Sequence, residues 1–172
     1  MLSLLRHLML MGVVVSLFSQ AATAQTLRYG PSYIEQGDFI LHPGVQLALW
    51  KNEEHRFRFD FYGRRFGPFL EATAIVGADK FLRIFPWQEL VTVYGFSVMD
   101  EYTAVNRPQG EDEAAHALNL GLNLGLSWRL LQHEAWDVRA EWNAHIFAAG
   151  LAFIVLTTAR KSVFTLSVGY TL

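Results

Sequence analysis

Cysteine is absent from the 172 residues. Its absence excludes a disulfide framework, a cysteine-ligated zinc site and a lipidated N-terminal cysteine. A charge of one sign is lacking too, with 14 Lys+Arg against 16 Asp+Glu. No nucleic-acid partner is therefore expected, since that needs a basic stripe or patch. No segment offers the roughly 18 unbroken apolar residues of a spanning helix. The longest late run, Phe147 to Leu156, contains Gly150 and gives way to two threonines and Arg160-Lys161. The His-Glu-x-x-His and Gly-x-Ser-x-Gly signatures are missing, and neither a metal nor a cofactor is expected. What the chain has in quantity is apolar side chains, 52% of the total. Such a chain is not disordered, its length suits about one domain, and its apolar surface must be placed without a spanning helix.

Met1 to Ala24 has the layout of a secretory signal peptide. Arg6 supplies the positive start, Leu8 to Phe18 the apolar middle, and Ala22-Thr23-Ala24 the small residues before a cut. The apolar stretch is about 11 residues, too short to span a bilayer. Residues 1–24 are thus expected to be removed, leaving 25–172 as one folded domain.

The dominant period is two. Leu118, Leu120, Leu122, Leu124, Leu126 and Trp128 share one parity, with Asn119, Gly121, Asn123, Gly125 and Ser127 on the other. Strict alternation of this length specifies a strand, because successive side chains point to opposite faces. Trp136, Val138, Ala140, Trp142, Ala144 and Ile146 repeat the pattern against Asp137, Arg139, Glu141, Asn143 and His145. Phe57, Phe59 and Phe61 alternate with Arg56, Arg58 and Asp60. Val45, Leu47 and Leu49 alternate with Gly44, Gln46 and Ala48, and Pro43 predicts a bulge or a strand end. Phe164, Leu166, Val168, Tyr170 and Leu172 close the chain in the same manner.

Turn-rich segments separate eight strands, expected near 27–35, 39–50, 55–63, 69–77, 89–99, 115–128, 135–147 and 163–172. Asp100 to Glu113 reads as a long acidic loop. Segments 81–87 and 151–159 are ambiguous; if both are strands the count becomes ten. Eight fits the length better, given membrane strands of about 9 to 11 residues. The apolar segment 147–156 reads as a hairpin extension or, alternatively, as an apolar loop able to meet acyl chains or a partner.

Alternation alone does not say which face points out. A soluble lipocalin-like barrel would bury the leucines; a membrane barrel would expose them. The leucine stripe faces small and polar residues, which suit a narrow interior. Trp50, Trp128, Trp136 and Tyr170 sit near strand ends, where rings with polar edges favour a membrane–water boundary. The final strand, 163–172, resembles the C-terminal signature of bacterial outer-membrane barrels, although Leu172 stands where Phe or Trp is usual. With the export signal and the size, the chain resembles the small OmpA/OmpX-type barrels. The resemblance implies an all-β, eight-stranded antiparallel up-and-down transmembrane β-barrel in the outer membrane of a Gram-negative bacterium. It also implies a monomer in contact with outer-membrane lipid and lipopolysaccharide, with the barrel-assembly machinery reading the last strand.

An eight-stranded barrel is just wide enough for its side chains to fill. Arg56, Arg58, Asp60, Glu71, Asp137, Arg139 and Glu141 are the candidate interior charges, with Asn119, Asn123, Asn143 and His145 bridging them. Glu141 and His145, four residues apart on one strand, are separated by about 13 Å, beyond the reach of direct proton transfer. A lumenal ladder of ion pairs is therefore expected, with no catalytic site.

His145-Ile146-Phe147-Ala148 is similar in position to the His-x-Ser-Asn motif of outer-membrane lipid A deacylases, and Pro68-Phe69-Leu70-Glu71-Ala72 is similar to a strand segment of such barrels. The resemblance would make His145 the candidate catalytic group. Phe147 and Ala148 replace the family's serine and asparagine, and Ser162 is the residue nearest to its glutamate. Without a nucleophile the histidine has nothing to activate. The expected role is structural or surface-interacting, with a lipid-A-modifying enzyme and a narrow channel as alternatives.

Overall fold

The computed structural model describes residues 26–36, 40–52, 54–87, 89–105, 113–148 and 158–172. The expected signal peptide, the centre of the acidic loop and most of segment 147–156 lie outside the described residues.

Eight strands follow in order: β1 (Thr26–Gln36), β2 (Ile40–Trp50), β3 (His55–Phe66), β4 (Phe69–Leu82), β5 (Leu90–Val105), β6 (Glu113–His133), β7 (Trp136–Ala148) and β8 (Thr158–Thr171). Each pairs antiparallel with the next, and β8 returns to β1, so the sheet is a closed barrel. Closure leaves no edge strand with unpaired backbone groups. β1 begins and β8 ends at the same end of the barrel, called here the terminal end.

The strands outrun the sequence expectation in one direction. β4 continues through Asp79 and Phe81, so the first part of the ambiguous 81–87 segment is strand and the remainder forms the turn into β5. β5 and β6 stay paired as far as Val105 opposite Glu113, so the hairpin takes in much of what reads as acidic loop. Tyr102, Thr103 and Val105 are strong strand formers, and the pairing continues there although the alternation of buried and exposed residues ends at Met99. Pro43 neither bulges nor ends β2. The β1 register runs straight through it, and the β3 ladder starts only at Gly44, beyond the proline's missing donor. The one register shift among the described strands is between Arg129 and Leu131 on β6, which leaves both Leu130 and Leu131 facing out.

Turns at the two ends differ. Gly67-Pro68 joins β3 to β4 with Gly67 at positive φ, a conformation glycine adopts without a Cβ clash. Glu134 adopts a positive φ in the Glu134-Ala135 turn. The seam between β1 and β8 is made in two stretches, Thr26–Tyr29 and Ser32–Glu35. The gap falls at Gly30-Pro31, where proline has no N–H to donate.

Candidate functional site

The faces of the sheet are sorted by parity. Leu120, Leu122 and Leu124 are 52%, 56% and 58% exposed on the outer surface, whereas Asn123 between them is 3% exposed inside. Val45, Leu47, Phe61, Phe96, Ile146, Phe164 and Leu166 are likewise exposed. Soluble proteins rarely leave so continuous an apolar surface uncovered. The interior carries the charge, the reverse of a soluble barrel.

The centre of the lumen is a belt of fully buried ions. Asp79 on β4 accepts from Arg56 Nε at 2.8 Å, from Arg58 Nε at 3.0 Å and from Asn123 Nδ2 at 2.8 Å. Arg58 also pairs with Asp60, and Arg56 with Glu141. Gln46 donates to Asp60 at 2.7 Å, and Ser127 donates to Glu141 at 2.9 Å. Toward the terminal end, Asp137 takes Arg28 and, at 3.1 Å, Arg139. Arg28, Arg56, Arg58 and Arg139 thus meet an equal number of carboxylates. Burying a charge is tolerated only when it is paired and hydrogen-bonded; each of these arginines meets a carboxylate, while Arg28 Nε and Nη1 have no hydrogen-bond partner among the described residues.

Glycine makes room for the belt. A Cβ on Gly169 would stand 2.4 Å from Asp137 Oδ1 and 2.6 Å from Arg28 Cζ, and one on Gly77 would stand 3.0 Å from Arg58 Nη2. Gly77 and Gly169 thus leave space for guanidinium groups.

Apolar clusters lie beside the belt. Ile34, Tyr62, Ile75, Met99 and Val163 form one. Ala48, Trp50, Phe81, Val91 and Val93 form the other. Trp50 is therefore not a boundary residue as expected from its place at the end of β2. It shares parity with Gln46 and Ala48, is 5% exposed, and stacks on Phe81 with ring centroids 4.2 Å apart. The guanidinium carbons of Arg28 and Arg139 lie 4.9 and 4.7 Å from its ring centre, a cation–π arrangement. Trp128, Trp136 and Tyr170 do face outward near the terminal end, and the last two rings are 4.7 Å apart.

Of the other expected interior residues, Asn143 is fully buried and its amide meets no partner among the described residues. Asn119 is half-buried and donates to Glu101 at 3.4 Å, and Glu101 pairs with Lys161. Glu71 stands apart from the belt: it is partly exposed and meets Arg64 at 3.6 Å near the end opposite the termini. Sequence reading missed Arg28 and Asp79. Arg28 lies between outward Leu27 and Tyr29, a signal legible once β1 is split by parity. Asp79 falls outside a fourth strand that ends at 77.

His145 is fully buried, with Ser97 Oγ 3.1 Å from Nδ1 and Arg58 Nη2 3.2 Å from Nε2. Arg58 Nη2 lies within 3.5 Å of both ring nitrogens. Both His145 and Ser97 are sealed from the surface, so they have no access to an external ester.

A closed eight-stranded barrel with apolar outside and charged inside has the fold of the small eight-stranded outer-membrane β-barrels. Solved structures share it. The N-terminal β-barrel domain of Pseudomonas aeruginosa OprF superposes with a TM-score of 0.58 at 10% identity, covering 87% of this chain and 98% of that one. Ail, the attachment invasion locus protein of Yersinia pestis, gives 0.52 at 14% identity in its complex with the heparin analogue sucrose octasulfate, covering 86% of this chain and 95% of that one. At such identities the likeness establishes the fold alone. No protein-family model matches the sequence, and no curated protein matches it.

Proposed function

We propose that the chain is a monomeric barrel of the Gram-negative outer membrane with a side-chain-filled lumen and a structural or surface-interaction role. The observation that carries this reading is the inverted polarity, leucines outside and arginines inside. Hydrocarbon cannot hydrogen-bond a backbone, so a spanning sheet must close on itself, and its outer face must be apolar. The longest connection between strands, residues 149–157, lies on the side away from the termini; with short periplasmic turns and longer outer loops as the usual arrangement, this supports a terminal end in the periplasm. Export through residues 1–24, recognition of strand 163–172 by the assembly machinery, and contact with outer-membrane lipid and lipopolysaccharide belong to the same proposal.

The test uses purified protein in detergent. A folded membrane barrel migrates differently on a denaturing gel before and after boiling, and in planar bilayers a filled lumen passes no discrete current. A protein that stays in the aqueous phase without detergent would sink the membrane reading. Single-channel steps would sink the filled lumen. Turnover of lipopolysaccharide would point to an enzyme whose site lies elsewhere than Ser97 and His145.

A further inference from the structure

The outer face of the barrel is not uniformly smooth. A hollow of about 600 Å³ opens on it near the terminal end, between β3, β4 and β5. Its floor is Ala78, whose register partners are Phe57 on β3 and Phe96 on β5. These rings stand two strand spacings apart, roughly 10 Å, with only a methyl group between them. One rung nearer the terminal end, Lys80 pairs with His55 on one side and Tyr94 on the other. Lys51 from the β2–β3 turn lines the same hollow.

Two ammonium groups at the end of an aromatic-walled trough are out of place on a face otherwise apolar. A lysine on the lipid face is costly at mid-bilayer and less so toward the boundary. Lys80 stands two residues before the end of β4, and its stem can carry the charge toward the headgroups. No ion pair to Lys51 or Lys80 occurs among the described residues. Glu54, the described acid of the same turn, lines a different hollow with Arg83 and Arg129. The charge therefore faces outward, along the wall of an alkyl-sized slot.

We infer that this hollow is a binding site for one anionic phospholipid, its acyl chain over Ala78 between Phe57 and Phe96 and its phosphate between Lys51 and Lys80. The inference rests on the membrane reading. Each basic residue near an anionic lipid surface contributes enough attraction to make such a choice measurable.

The full chain is folded into detergent micelles containing equal amounts of phosphatidylglycerol and phosphatidylethanolamine, and retained lipid is counted by native mass spectrometry. The unaltered protein is expected to keep one phosphatidylglycerol in preference. Lys51→Gln with Lys80→Gln is expected to reduce that preference about thirtyfold, since each cation contributes separately. Ala78→Phe fills the slot and is expected to abolish retention while both lysines remain. All three proteins should keep the heat-dependent gel shift, because every change is on the outer surface. Equal retention of phosphatidylglycerol by the native and double-lysine proteins overturns the site, as does unchanged retention by Ala78→Phe. If the gel shift is present and no preference exists, only this inference falls. If the native protein shows no gel shift, the membrane reading falls with it.

Discussion

Two regions of the lumen use the same kinds of ion pair in different settings. In the central belt, Arg56, Arg58, Asp79 and Glu141 are sealed from solvent. At the end opposite the termini, Arg64 and Glu71 approach to 3.6 Å with each side chain 29% exposed. Water screens the second pair and competes for both partners, so its net contribution is small. The belt is sealed from bulk solvent, and removing one partner leaves an uncompensated charge. Burial, rather than pairing as such, decides which of these bridges the barrel depends on.

Four substitutions sharpen that contrast, read as shifts in urea-unfolding midpoint in lipid vesicles. Asp79→Ala should have the largest effect, a loss of about 3 to 5 kcal/mol, because Arg56 and Arg58 each lose one of two carboxylates and the sealed belt is left with an uncompensated positive charge. An unchanged midpoint would show the belt to be hydrated and the contrast false. Glu141→Ala should follow at about 3 kcal/mol, since Arg56 keeps Asp79 while Ser127 loses its acceptor. Glu71→Ala should cost less than about 1 kcal/mol, the range of exposed pairs. A loss equal to that of Asp79→Ala would place Glu71 in the belt after all. Asn143→Val should be close to neutral, because replacing an unpartnered buried amide by an apolar group of similar size removes an unsatisfied group. A strong loss would mean that the Asn143 amide is bound within the lumen.

The sequence carried the two faces of this barrel more clearly than its charges' partners. Along β6 and β7, every second residue is apolar, so strand identity and facing follow directly. Along β4 both parities contain Ala, Val or Ile, the alternation blurs, and the strand reads as ending before Asp79. That one misplaced boundary hides the residue at the centre of the belt. Trp50 shows the opposite failure: its parity points inward, but its position at a strand end suggests a boundary. The partners of each arginine were not legible at all, because they depend on the stagger between strands far apart in sequence. Arg56 meets Glu141 only because β3 and β7 face each other across a closed ring.

The interrupted seam between β1 and β8 has a consequence for how the ring opens. Every other junction lies between strands consecutive in the chain, whereas this one joins the first strand to the last and is paid for by the full loop-closure entropy. Its ladder is already divided at Gly30-Pro31. Thermal fluctuations that part the wall will therefore begin here, where two short zippers can release separately and the rest of the sheet stays intact.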